Sequence, residues 1–128
     1  MAELLQGVSW VGVFSGAISA FLLGWLWYSP KLFGPKWAEG VGVQMGAADE
    51  MPKAAMVLQL LGLFLVSWLV GVTAVSGALL TIILAVVGFS VMGYAGGLFR
   101  KNSAYARGVD AGYWVASVVV MVIYQGIF

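Results

Sequence analysis

Residues 54–99 contain no charged side chain, a run more than twice the roughly 20 apolar residues that carry a helix across a bilayer. A stretch of that length cannot cross once and stop, and it predicts a chain folded back on itself inside lipid. The remainder of the sequence agrees. Hydrophobic residues make up 62% of the 128 and charged residues only 9%, against about 25% charged in a soluble domain. A water-soluble fold of this length cannot hide so large an apolar fraction.

The break in the long run falls at Val75-Ser76-Gly77, where small turn-forming residues interrupt it, dividing it into spans at about 50–74 and 78–99. So short a connection predicts antiparallel neighbours. Asp49 is placed to cap the first of these spans, with Pro52 in its opening turn, where a missing N–H costs little. Two further apolar runs lie at 8–28 and 109–128. The first of them is roughly 31 Å long at about 1.5 Å per residue, the thickness of a hydrocarbon core. It is expected to be retained, because no basic residue precedes it and Trp25-Leu26-Trp27-Tyr28 is no cleavage site. Asp110 stands near the start of the last run, where a helix dipole favours negative charge. The expectation is an all-α membrane protein, a single domain over 1–128 with four transmembrane helices at about 8–28, 50–74, 78–99 and 109–128.

Charge sets the orientation. Lys31, Lys36 and Lys53 lie between the first and second spans, and Arg100, Lys101 and Arg107 between the third and fourth. The positive-inside rule puts both connections in the cytoplasm and both termini outside. Aromatic residues would then mark the cytoplasmic interface at Trp25, Trp27, Tyr28, Phe33, Trp37, Phe99, Tyr105, Tyr113 and Trp114, and the outer one at Trp10, Tyr124 and Phe128. In the 29–49 connection, Ser29-Pro30 and Gly34-Pro35 interrupt helix while Leu32, Phe33 and Trp37 keep the segment on the membrane. Trp37, Val41 and Met45 recur every fourth residue, which predicts a short interfacial helix.

Several functional classes fall away. The chain has no cysteine and no histidine, which removes disulfides, thiol redox chemistry, nucleophiles served by an imidazole base and the common zinc and haem ligands. No passage resembles a phosphate loop or a nucleophile elbow. No catalytic, metal or cofactor site is therefore expected, and the protein is read as no enzyme. The basic residues flank spans, so they argue for topology and against nucleic acid. No ionisable residue lies inside the spans, which argues against a proton-coupled pump.

Three sets of residues remain as candidates. Gly12, Gly16, Ala20 and Gly24 recur every fourth residue and form one groove along the first span. Another helix backbone can approach closely there, either within the chain or from a second protein. Gly93 with Gly97, and Gly108 with Gly112 and Ala116, repeat the pattern on the third and fourth spans. Ser15, Ser19, Gln59, Thr81 and Ser90 are the polar residues expected to line any solute or ion pathway formed between protomers, with Gln59 otherwise expected to hydrogen-bond between helices. Asp110 is expected to pair with Arg107 or Arg100.

The third set comes from two segments. Gly24-Trp25-Leu26-Trp27-Tyr28-Ser29-Pro30-Lys31-Leu32-Phe33-Gly34, followed by Trp37, and Asp110-Ala111-Gly112-Tyr113-Trp114 resemble the bacterial membrane family known as domain of unknown function 1761. The resemblance covers nearly the whole chain and implies four spans in this order, without an activity. Here 40–48 is glycine-rich and uncharged, whereas family members typically carry a more charged helical stretch. Both segments belong to one membrane interface, so Trp27, Tyr28, Pro30, Phe33, Trp37, Asp110, Tyr113 and Trp114 are expected to meet, as an anchor for helix tilt or as a lipid or quinone site. The leading functional expectation is a non-catalytic helix-packing protein, surrounded by membrane lipids and acting as a homo-oligomer or as an accessory subunit of a larger membrane complex.

Overall fold

The structure, a computed structural model, describes residues 2–43 and 53–128. It contains six helices in the order α1 (Ala2–Leu5), α2 (Trp10–Trp27), α3 (Gly34–Val41), α4 (Lys53–Val75), α5 (Leu79–Phe99) and α6 (Ala104–Ile127). Four of them, α2, α4, α5 and α6, are long and apolar enough to cross a membrane. Each is rich in large apolar residues, several of them exposed, the pattern of a helix whose outer face meets lipid. Phe14, Leu58, Leu80, Leu84 and Phe89 accordingly stand exposed on the bundle surface.

The helices are delimited by local chemistry. Ser9 caps α2 by accepting from the Gly12 N–H, and Gly77, at φ 67°, makes the turn between α4 and α5 where its missing Cβ removes the strain of a left-handed backbone. Ser103 caps α6, its hydroxyl accepting from Ala106 N–H at 3.0 Å. That cap corrects the expected start at residue 109. Hydropathy alone delays the helix past Arg107, whereas the helix begins wherever an N-cap frees the backbone to turn. Arg107 is thus in the first turns of α6, and Asp110 lies well inside it, beyond the turn in which the helix dipole acts.

Helix α6 is the hub. It packs along α2 and α5, crosses α4 and receives α3 at its first turns. Helices α4 and α5, joined by the shortest connection, are neighbours as expected but touch far less than α2 does α4 or α5 does α6. A tight turn sets direction, and side-chain fit decides which helix face is covered. The core runs through Ala20, Leu63, Val70, Ile82, Val86, Val118 and Met121, with Ala20, Val70 and Met121 fully buried.

The connection after α2 also departs from expectation. Pro35 opens α3 instead of breaking it, since a proline in the first turn has no hydrogen bond to lose. The helix then ends at Gly42, which is left-handed at φ 89°, one residue past Val41. Asp49, Glu50, Pro52 and Met45 itself lie outside the described residues.

An aromatic and carboxylate interlock of α2, α3 and α6

At one end of the bundle the chain leaves α2, turns at Ser29-Pro30 and doubles back. Leu32 N–H and Gly34 N–H both donate to Ser29 C=O, and Phe33 N–H donates to Trp27 C=O, each at 3.1 Å. The turn lays the Phe33 ring 4.9 Å from that of Trp27 and sends α3 across the first turns of α6. Gly40 makes that crossing possible. Its carbonyl accepts from Ser103 N–H at 3.0 Å, and a Cβ there would collide with the Ser103 side chain and Ala106.

Within this end, the two family-like segments interlock almost residue by residue. Tyr28 O–H donates to Asp110 Oδ1 at 2.5 Å, and Trp37 Nε1–H donates to the same oxygen at 2.9 Å. Trp27 Nε1–H donates to Val109 C=O at 3.0 Å, and its ring lies where a Cβ on Gly112 would come within 3.3 Å. The buried Tyr113 O–H donates to Ala20 C=O at 2.7 Å and occupies the space left by Gly24, where a Cβ would lie 2.6 Å from its oxygen. The rings close the set, with Tyr28 edge-on to Trp37 at 5.0 Å and to Tyr113 at 5.6 Å. Burial, then the hydrogen bond to Asp110 and its negative charge, push the Tyr28 hydroxyl far above its ordinary pKa. The phenol therefore stays a donor at every physiological pH.

Six of the eight residues expected to meet do so. Pro30 and Trp114 stay at the periphery, with Trp114 exposed. The sequence reading missed Val109, whose contribution is a backbone carbonyl and so invisible in side-chain type. It placed Tyr105 only as an interfacial aromatic. Tyr105 packs 6.3 Å from Phe33 and beneath the Lys36 ammonium at 5.2 Å. Ser103 and Gly40 were missed as well, although a serine just ahead of an alanine-rich helical start is a legible capping signal.

Asp110 takes neither expected arginine. Arg107 donates to Asn102 C=O and lies over the Tyr94 ring at 4.8 Å, while Arg100 folds back over Gly96 of its own helix. Two neutral donors lie close enough to Asp110 to satisfy one of its oxygens, and the arginines find partners on the α5 side.

The small-residue groove of α2 is filled from within the chain. A Cβ on Gly12 would meet the Gln125 amide, one on Gly16 would meet Ser67 and the Met121 backbone, and Ala20 is fully buried. The five polar residues proposed as a lining do not converge inside one chain. Ser19 donates to Tyr124 at 2.9 Å, Ser15 is half-buried and Ser90 buried, while Gln59 and Thr81 face outward. Among the described residues, Gln59 makes no interhelical hydrogen bond, because α4 turns it away from its neighbours. An open apolar groove of about 530 Å³ between α2 and α6, lined by Leu22, Leu26 and Ile123 among others, lies on the bundle flank. Among the described residues, no three His, Cys, Asp or Glu side chains gather as metal ligands.

These features define a small multi-pass membrane bundle closed at one end by an aromatic and carboxylate interlock. Residues 11–126 match the family described as a protein of unknown function, DUF1761, and the chain belongs to that family. No curated protein and no solved structure matches it.

Proposed function

We propose that the protein is a non-catalytic membrane component that assembles laterally, with copies of itself or with a larger membrane complex, through the outer faces of α4 and α5. The observation that carries this reading is the outward Gln59 with Gly62 one turn further along α4. An amide facing hydrocarbon lacks partners, and small residues let another helix approach closely enough to supply them. Gly62, Gly88 and Gly93 have open space where a Cβ would stand, unlike the glycines of α2. Helix α5, which carries two of them and the outward Thr81, is the least buried of the four spans. The glycine ladder of α2 is occupied within the chain, which moves the proposed interface to this opposite side.

The natural absence of cysteine makes the test direct. Single cysteines introduced by Gly62→Cys and Gly93→Cys are expected to form crosslinked dimers or adducts in native membranes, while one at the lipid-exposed Leu80 forms none. A lone monomer in mild-detergent or nanodisc native mass spectrometry, together with no adduct from either cysteine, would sink the proposal.

A further inference from the structure

We infer that the outward oxygen of Asp110 binds the primary ammonium of an aminophospholipid headgroup. Both protein hydrogen bonds to this carboxylate fall on Oδ1 and both come from neutral donors, Tyr28 and Trp37. Oδ2 accepts from no described residue, and it is not among the buried polar atoms left without a partner. It therefore opens to the surroundings. All six lysines and arginines lie among the described residues, and none forms an ion pair with Asp110; the segment 44–52 adds no basic side chain. A half-buried carboxylate without a counter-charge is a site where an outside cation is strongly favoured.

The surroundings select the cation. A single free carboxylate oxygen is far from the six to eight oxygens of a calcium site or the octahedron of magnesium, and no acidic cluster stands nearby among the described residues. Tyr28 and Trp37 aim their neutral donors at Oδ1 and leave Oδ2 as a single acceptor, which suits an ammonium. Oδ2 requires an N–H donor to complete a charge-assisted hydrogen bond. A primary ammonium provides one and a quaternary ammonium does not. The lipid source follows from position. The carboxylate is held by Tyr28 at the end of α2, and Trp25 and Leu26 on the last turn of that helix, with Trp114 one turn beyond Asp110 on α6, are exposed, as residues at the level of the headgroups are.

The full-length protein in nanodiscs of phosphatidylethanolamine and phosphatidylglycerol, compared with discs in which phosphatidylcholine replaces the ethanolamine lipid, tests this by native mass spectrometry of retained lipid. The wild type is expected to hold phosphatidylethanolamine about tenfold more strongly than phosphatidylcholine, the scale of one charge-assisted hydrogen bond. Asp110→Asn keeps an acceptor for Tyr28 and Trp37 and is expected to lose that preference. Equal retention of the two lipids by the wild type, or an unchanged preference in a folded Asp110→Asn protein, would overturn the inference. Should Asp110→Asn fail to fold, the comparison of the two lipids on the wild type decides alone. Full competition by free ethanolamine, or a carbodiimide adduct joining Asp110 to a lysine of another chain, would assign the site to a different occupant and equally overturn it.

Discussion

Helices α2 and α6 stand about as far apart in sequence as the chain allows, yet they are joined by hydrogen bonds and glycine contacts along their length, from Gly12 beneath Gln125 to Gly24 beneath Tyr113. Helices α4 and α5 are consecutive, yet they scarcely pack, and their glycines at 62, 88 and 93 face open space. Both pairs contain small residues in apolar helices. The difference lies in what opposes them. On the first pair, the gaps at Gly12, Gly16 and Gly24 are met by Gln125, Ser67 and Tyr113, each of which also makes a hydrogen bond. On the second, no described residue enters the space at Gly62, Gly88 and Gly93. Identical residue types thus serve as finished packing in one place and as unoccupied surface in the other.

The largest test of this contrast is Gly16→Leu. With Ser67 Oγ 2.9 Å and Met121 Cα 3.3 Å from the position of a Cβ, backbone must shift, and a loss of about 3 kcal/mol is expected in equilibrium unfolding from mixed micelles. Wild-type stability in this variant would mean that α2 and α6 are not zipped as described. Next comes Asp110→Ala, which strands the Tyr28 hydroxyl and the Trp37 indole N–H; a loss of about 2 kcal/mol is expected, with faster amide exchange in α3. Protection of α3 left unchanged would show that Trp37 does not hold it to α6. Tyr113→Phe is expected to cost only about 1 kcal/mol, because the Ala20 carbonyl it abandons can still serve its own helix.

A smaller effect concerns pH. The Tyr28 pKa is raised in the folded protein, so the folded state keeps a proton that the unfolded chain releases above about pH 10. The stabilisation from this group is fully present below that value and declines as pH rises beyond it. Thermal melts of the wild type should therefore fall more steeply above about pH 10 than those of Tyr28→Phe, and parallel curves would remove Tyr28 from the interlock. The smallest expected effect is on the other side of the comparison. Gly93→Leu should leave monomer stability within about 0.5 kcal/mol while reducing crosslinking through a cysteine at position 62. A large destabilisation there would show that α4 and α5 pack after all.

The segments 24–34 and 110–114 were legible as a pair because their aromatics and carboxylate are unusual at span ends, and six of the eight residues named from them meet. What escaped notice was carried by backbone. Val109 contributes a carbonyl, Gly40 an absence of side chain, and Ser103 a cap that moves the start of α6 ahead of Arg107. The pairing of Asp110 with arginine was the natural expectation from charge alone. It failed because Tyr28 and Trp37 reach one carboxylate oxygen while Arg107 is drawn onto Tyr94.

Hydropathy and residue spacing by themselves determined that the chain makes four long apolar helices, since a backbone without water must satisfy its own hydrogen bonds and only a helix does so within one segment. They also marked which helix faces are smooth enough for close approach. Which face meets which was decided by the tertiary structure alone, because lipid is as apolar as leucine and offers no hydrophobic preference between one helix pair and another. Shape and hydrogen bonding make that choice: they close α2 onto α6, and they leave α4 and α5 turned toward whatever lies beside them.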